Sequence, residues 1–481
     1  MAKERVAHGA SINLFIENGW VRALLISTYD LGRQPFGLAS PAAWLRRAGV
    51  EVDCADASRD PIGDDRIAGA DMVAFYLPMH TATRLAAPLI DRVRRLKPSA
   101  RMCAYGLYAP LNAAWLQGRG VGDVMGPEAE EALVAWAMGA TSNFQLPTPK
   151  ARSPQSTLTV LPRLEFIQPD RAGLPELHRY ASLRMPDGSR RTMGSTDATR
   201  GCKHLCRHCP VVPVYGGQFR VVPIDIVLAD IRAQVAGGAE HISFGDPDFL
   251  NGPTHARRLV ERLHAESPEL TYDVTIKIEH LLNHAEMIQV LRDTGCLFVT
   301  SAVESIDDAV LQRLRKGHTR ADFIRAVALC RAAGLTLTPT FIPFSPWTTL
   351  DAYVELLTAL EDLDLVQEVA PIQLAIRLLV TADSPLLELP DVRDRVSAYD
   401  AASLTWPWIH EDARVDALQR TVMAVVRDGA ARSRADVFAD IAAVARAAAG
   451  VPPRVAVAGR TQAVPYVSEP WYCCAEPMEI V

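Results

Sequence analysis

ATRGCKHLCRHCPV, residues 198–211, holds Cys202, Cys206 and Cys209 within eight positions, although the 481-residue chain has only nine cysteines. The spacing is Cys-x3-Cys-x2-Cys, and no fourth cysteine lies nearby. Three thiolates so spaced converge on one inorganic centre when the chain loops around it. Structural zinc takes four protein ligands, usually as paired Cys or His units. His204 and His208 lie inside the motif and keep that reading open. A [4Fe–4S] cluster also takes four ligands, so three cysteines leave one iron open for a substrate or cofactor.

Downstream, strand-like runs alternate with helix-like intervals over about 200–385. The runs are HISFG (241–245), YDVTIKI (272–278), CLFVTSA (296–302), LTLTPTFI (335–342) and IQLAIRLL (372–379). IDIVLADIRAQVAGG, ADFIRAVALCRAAG and DAYVELLTALEDL separate them. Repeated β-α units of this length predict a full or partial β/α barrel, with function at the C-terminal ends of its strands.

Upstream, apolar runs at 21–27, 50–56, 71–77, 100–106 and 122–126 alternate with helical segments. Near-continuous apolar strands with helices between them argue for a parallel, doubly wound sheet, and five strands in this order suit a flavodoxin-like (Rossmann-like) domain. TSNFQLPTPKARSPQST reads as a linker, and Pro-Asp-Gly in RMPDGSRRT as a hairpin turn. Residues 411–450 are Ala-rich and helical. The expected fold class is α/β, with domains at 1–145 (flavodoxin-like), 146–195 (linker and hairpin), 196–400 (β/α barrel) and 401–481 (helical region and tail).

Apolar residues make up 49% and charged residues 22%, as in a globular protein, and the net charge of −6 attracts neither nucleic acid nor an anionic membrane. No apolar run approaches membrane-spanning length, and the N-terminus lacks a secretory h-region. The expected location is cytoplasmic, where clustered cysteines serve metals or redox chemistry rather than disulfides.

The cysteine motif, ahead of the first helix of a predicted barrel, resembles that of the radical S-adenosylmethionine (radical SAM) family. The resemblance implies that Cys202, Cys206 and Cys209 hold a [4Fe–4S] cluster whose open iron binds SAM. It also implies that an electron from the cluster cleaves a C–S bond of the sulfonium to release a carbon radical. Many members place an aromatic residue before the third cysteine, against the adenine; here His208 stands there. FGDPDF (244–249) takes the place of the family's Gly-Gly-Glu-like turn, so Gly245, Asp246 and Asp248 are SAM-amine candidates; Asp-Pro is also common in plain turns, but the position within the barrel favours the functional reading. SAVES (301–305) resembles a segment whose glutamate helps to hold SAM, which makes Glu304 a candidate; Ser305 also reads as a helix cap. In KIEH (277–280), Lys277 and Glu279 alternate with apolar residues and face the barrel interior as SAM-binding candidates, Glu279 against the ribose, or as an ion pair with each other. Gln373 and Arg377 share one face of IQLAIRLL, with Arg377 set for a carboxylate of SAM or of the protein.

A flavodoxin-like domain before such a barrel resembles cobalamin-dependent members of the family, so cobalamin is an implied cofactor. STYDLGRQPFG (27–37) lacks the histidine that supplies the lower cobalt ligand in many cobalamin proteins. The ending PWYCCAEPMEIV resembles the CUAEP/CCAEP-tail radical SAM proteins, some of which carry selenocysteine where Cys474 stands here. That resemblance puts Cys473 and Cys474 in the active site. Together these features imply carbon-group transfer from SAM to a small-molecule or soft-element substrate, such as a 3-amino-3-carboxypropyl group to As(III). A reductant protein such as a flavodoxin or ferredoxin would supply electrons. Cobalamin-dependent radical methylation and a zinc-binding thiol sensor or scaffold are the competing expectations.

Overall fold

A computed structural model describes residues 21–139, 164–454 and 463–469. The five upstream apolar runs form strands β1 (Arg22–Ser27), β2 (Glu51–Asp56), β3 (Met72–Tyr76), β4 (Arg101–Tyr105) and β5 (Asp123–Val124). They pair in parallel in the order β2-β1-β3-β4-β5. The order reverses beside β1, and ligands of such sheets bind outside the carboxyl ends at that point. Leu24, Ile26, Val73 and Phe75 pack one face, and Leu25, Ala74, Cys103 and Tyr105 the other. Apolar side chains on both faces explain why the runs read as continuous rather than alternating.

The hairpin is real and belongs to the second sheet. β6 (Ser182–Arg184) pairs antiparallel with β7 (Arg190–Thr196) across Pro186-Asp187-Gly188, where Gly188 takes φ +84°. That angle costs a glycine nothing. β7 then runs parallel to β10 (His241–Phe244), as the first strand of the barrel sheet. Between them lie β8 (Thr199–Gly201), the cysteine loop and β9 (Phe219–Val221); β8 and β9 pair as a separate ribbon. β11 (Thr271–Thr275), β12 (Cys296–Glu304) and β13 (Thr336–Phe341) continue the parallel sheet, an open partial barrel. β14 (Tyr466–Val467) closes the opposite edge against β6.

The run IQLAIRLL does not form the expected strand. Pro371–Leu374 is a 3-10 turn, and Arg377 makes only a single parallel bridge to Phe344. Pro371 starts the turn, and the Gln373 carboxamide oxygen accepts from the Phe341 amide at 3.3 Å, where a neighbouring strand's carbonyl would otherwise pair. The helices Ala413–Asp428 and Arg434–Ala449 are capped by Asp412 and Ser433. Their Val415/Leu418/Val422 and Val437/Ile441/Ala445 stripes join the barrel core, at helical spacing. No described helix is long and apolar enough to cross a membrane.

Buried polar pairs fasten the two sheets together. Arg200 donates to Glu130 at 2.6 Å and to Ser40 at 3.1 Å, while Arg171 bridges Asp230 at 2.8 Å and Gln34 at 2.9 Å. His80, at the N-terminus of helix His80–Leu96, donates from Nε2 to the Ser403 carbonyl at 2.7 Å. Its Nδ1 is buried without a partner, so a second proton there would meet no acceptor. Burial pushes the His80 imidazole from 6.5 down to about 4. A depressed histidine leaves the unfolded chain binding more protons between those values, so stability falls as the pH drops from 6.5 towards 4. We expect the melting temperature to fall over that window, with His80 contributing roughly 2–3 kcal/mol of the loss. A His80→Gln variant should flatten the fall; an unchanged slope would assign it to other groups.

Candidate active site

A cavity of about 310 Å³ lies between the two sheets, at the small end of small-molecule sites. One wall comes from the carboxyl ends of β1, β3 and β4, through Asp30, Arg33, Tyr76, Met79, Tyr105 and Tyr108. The other carries the cysteine loop and the ends of β10 and β12. Loops at this end of a parallel sheet diverge and leave room for ligands.

All three motif cysteines line this cavity, Cys202 and Cys206 buried and Cys209 half-buried. The loop holding them is anchored on both flanks. A Cβ on Gly201, at φ +80°, would lie 2.4 Å from the Tyr215 ring and 2.6 Å from the Gln218 carbonyl, so glycine is required just before Cys202. Asn251 accepts from the Lys203 amide and donates to the Gly201 carbonyl, both at 3.2 Å. On the far side, the Arg207 amide donates to the Leu314 carbonyl at 3.0 Å and its guanidinium to the Arg313 carbonyl at 2.9 Å. Burial pushes the Cys202 thiol up to about 12, and a bound cation reverses that preference. Single-zinc tetrathiolate sulfurs stand ~3.8 Å apart. Among the described residues, the one trio of His, Cys, Asp or Glu ligand atoms within 4.8 Å of one another is not the cysteines.

Glu304 ends β12 at φ +69° and lines the cavity. Its carboxylate meets His208 Nε2 at 3.1 Å and Lys316 Nζ at 3.2 Å, all three buried. Burial opposes its charge, but the Lys316 ammonium and the His208 hydrogen bond outweigh it and hold Glu304 at about 2. His208 thus lines the cavity tied to Glu304. The helix that follows is capped by Asp307, not by the expected Ser305, which lies two residues before it and accepts from the Asp307 amide at 3.0 Å.

Gly245 lines the cavity, and a Cβ there would lie 2.4 Å from Asp197 Oδ1. Asp246 also lines it, but its carboxylate accepts from the Ala198 amide at 2.9 Å and the Thr199 hydroxyl at 2.5 Å. It therefore props the approach to the cysteine loop, and burial pushes it up to about 7. Asp248 is fully buried, caps the 3-10 turn Phe249–Asn251 and faces His204 and His280.

Lys277 lines the cavity and pairs with Glu279 at 3.2 Å. The expected strand alternation of this pair fails: β11 stops at Thr275, and Glu279 lies in the first turn of the helix Ile278–Asn283. Carboxylates favour that position. Arg377 is not brought to the cavity. It donates to Asp416 at 2.6 Å and to the Trp408 carbonyl at 2.6 Å, with its guanidinium 3.5 Å from the Trp408 ring centroid, among the C-terminal helices. Cys473 and Cys474 lie outside the described residues.

Sequence reasoning missed Asp30 and Asp197, two carboxylates lining the cavity from different domains. Enclosure away from water raises both, Asp30 to about 7 despite Arg33 nearby. Neither belongs to a motif; only the domain packing brings them together.

Residues 197–360 match the model of the radical SAM superfamily. The hopanoid C-3 methylase of Methylococcus capsulatus is 24% identical over 153 residues, 32% of this chain and 29% of that protein. The chain spans less than half the length of such curated relatives. Among solved structures, the radical SAM methyltransferase TsrM of Kitasatospora setae, with cobalamin and a [4Fe–4S] cluster bound, aligns with TM-score 0.54 at 18% identity, over 72% of this chain and 71% of TsrM. The cobalamin-dependent radical enzyme OxsB, with aqua-cobalamin bound, aligns with TM-score 0.62 at 13% identity, over 85% of this chain and 67% of OxsB.

Proposed function

Since residues 197–360 form a radical SAM domain, we propose that this enzyme transfers a carbon group of SAM to a small substrate held in the inter-sheet cavity. The carrying observation is convergence: Cys202, Cys206 and Cys209 face the same cavity as Gly245, Lys277 and Glu304. Three anchored thiols with no fourth cysteine beside them among the described residues fit a [4Fe–4S] cluster with one open iron. Such a cluster, when bound, supplies the electron for reductive cleavage of SAM. The chain's own residues do the rest. The turn at Gly245 lets backbone approach the SAM amine closely, and Glu304, kept ionised by Lys316 and His208, is the other acceptor. Met79, Tyr105 and Tyr108 would form the wall against which the substrate packs.

We place Cys473 and Cys474 with the substrate. The last described segment supports this: Glu469 hydrogen-bonds the Tyr29 hydroxyl and lies 3.8 Å from Arg59. Glu469 also lines a small pocket with Leu31 and Arg33, which themselves line the main cavity. Five further residues reach at most ~18 Å, enough to bring Cys474 to that mouth. The specific reading is 3-amino-3-carboxypropyl transfer to a soft element such as As(III), for which paired thiols are apt ligands.

Cobalamin-dependent methylation is the second reading, favoured by the cavity's position at the carboxyl ends of β1, β3 and β4. The loop STYDLGRQPFG after β1 holds no histidine, and Leu31, Met79 and Leu107 would be the apolar residues packed against such a cofactor.

The deciding experiment reconstitutes the protein anaerobically with iron and sulfide, adds SAM and a strong reductant, and identifies the nucleoside released. Methylthioadenosine supports aminocarboxypropyl transfer; 5′-deoxyadenosine supports adenosyl-radical chemistry; retained cobalamin supports methylation. Failure to form a cluster would overturn the proposal. A Cys474→Ser variant should still cleave SAM but lose transfer product by at least about 10-fold. Undiminished product would remove the tail from the mechanism.

A further inference from the structure

We propose a second metal site beside the cluster loop, in which His204 Nε2, Asp248 Oδ2 and His280 Nδ1 bind one divalent transition ion such as Zn²⁺. It rests on geometry outside the three-cysteine set. His204 lies between Cys202 and Cys206, Asp248 follows the Gly245 turn, and His280 sits in the first turn of the helix Ile278–Asn283. These elements are distant in sequence, yet the three ligand atoms lie within 4.8 Å of one another. Two histidines and one carboxylate are a common donor set for zinc and ferrous ions.

A hydrogen-bonded cluster does not account for these atoms. Asp248 Oδ1 is committed to the Leu250 amide at 3.0 Å, which leaves Oδ2. His280 Nδ1 lies 2.8 Å and His204 Nε2 3.4 Å from that oxygen. Both nitrogens lie within ion-pair reach of that oxygen, but none of the three buried atoms makes a hydrogen bond of good geometry. Asp248 is fully buried and the His280 side chain is 3% exposed. Leaving such buried groups unsatisfied is unfavourable, which a shared ion would relieve. Ligands that converge on a shared ion point at the ion rather than at one another. With metal bonds of ~2.1 Å, neighbouring donor atoms stand about 3.0–3.4 Å apart for octahedral to tetrahedral geometry, close to the two separations seen here.

The surroundings complete the pattern. The other His204 nitrogen, Nδ1, faces Glu279 Oε2 at 3.6 Å, and Lys277 holds that carboxylate. A carboxylate behind a ligating histidine fixes its tautomer and raises its basicity. His204 also lines the main cavity, so the proposed site adjoins the ligand space. The ion would staple the cysteine loop to the ends of β10 and β11.

The test uses the full chain with its cluster assembled. Zn²⁺ is added, excess is removed by gel filtration, and iron and zinc are counted by mass spectrometry. Zinc outranks ferrous ion in affinity for such donors. The expected result is about one zinc per chain alongside cluster iron. Zinc-edge X-ray absorption should show nitrogen and oxygen neighbours at ~2.0–2.1 Å and none at the ~2.3 Å of sulfur. Asp248→Asn, which keeps the Leu250 cap, and His280→Ala should lose that zinc and keep the iron. Glu279→Gln should weaken zinc binding by roughly 10–100-fold. No retained zinc, or zinc with sulfur neighbours, would overturn the proposal. The wild-type spectrum decides the matter even if a variant fails to fold.

Discussion

Replacing Cys206 by alanine is expected to leave the fold intact and remove the cluster. The Cys206 side chain is buried, and the loop around it is anchored by backbone and amide contacts from Asn251, Leu314 and Arg313. None of these needs the thiol. The variant should keep its circular dichroism spectrum and lose the broad ~400 nm absorption of a [4Fe–4S] cluster. SAM cleavage should drop by at least about 100-fold, because no other group in the cavity supplies the electron. A variant that still assembles a cluster and turns over would place the cluster ligands elsewhere.

Replacing Glu304 by alanine should cost both stability and SAM binding. It strands the buried Lys316 ammonium, raised above its ordinary value mainly because Glu304 offsets its burial, and it leaves His208 Nε2 without its acceptor. Removing one partner of a buried pair costs about 3–5 kcal/mol, or roughly 10 °C in the melting of the barrel unit. Glu304→Gln with Lys316→Met removes both charges and should recover most of that loss; the double-mutant cycle measures the coupling. Glu304→Gly should melt above Glu304→Ala by about 1 kcal/mol, because alanine at φ +69° carries left-handed strain. The wild-type contribution has a defined pH window. Glu304 titrates at about 2 rather than 4.5, so its stabilisation is complete above 4.5 and lost as the pH falls towards 2. If the KM for SAM in Glu304→Gln is unchanged, the carboxylate is structural only.

The parts legible in the sequence share a local signal. The apolar runs of β1–β4 and β10–β13 stand out because both faces of a parallel sheet are covered. The three cysteines are legible because a loop motif carries its chemistry at fixed spacing. IQLAIRLL reads as a strand because a buried irregular segment is equally apolar, and Pro371 just ahead of it starts a 3-10 turn instead. Glu279 misled because alternation in KIEH continues past Thr275, where the chain already turns into a helix. Arg377 showed that a charge in an apolar run seeks a carboxylate, but its partner, Asp416, lies on a C-terminal helix.

The sequence by itself determined the α/β class, the three-cysteine motif and the turn glycines Gly188 and Gly245, because these depend on periodicity and on residues close along the chain. Only the tertiary structure decided that Asp30 and Asp197 share a cavity, that His208 and Lys316 hold Glu304, and that His204, Asp248 and His280 converge. Those groupings join residues from separate β-α units. Their spacing is set by how strands stack and domains dock, which no window of sequence encodes.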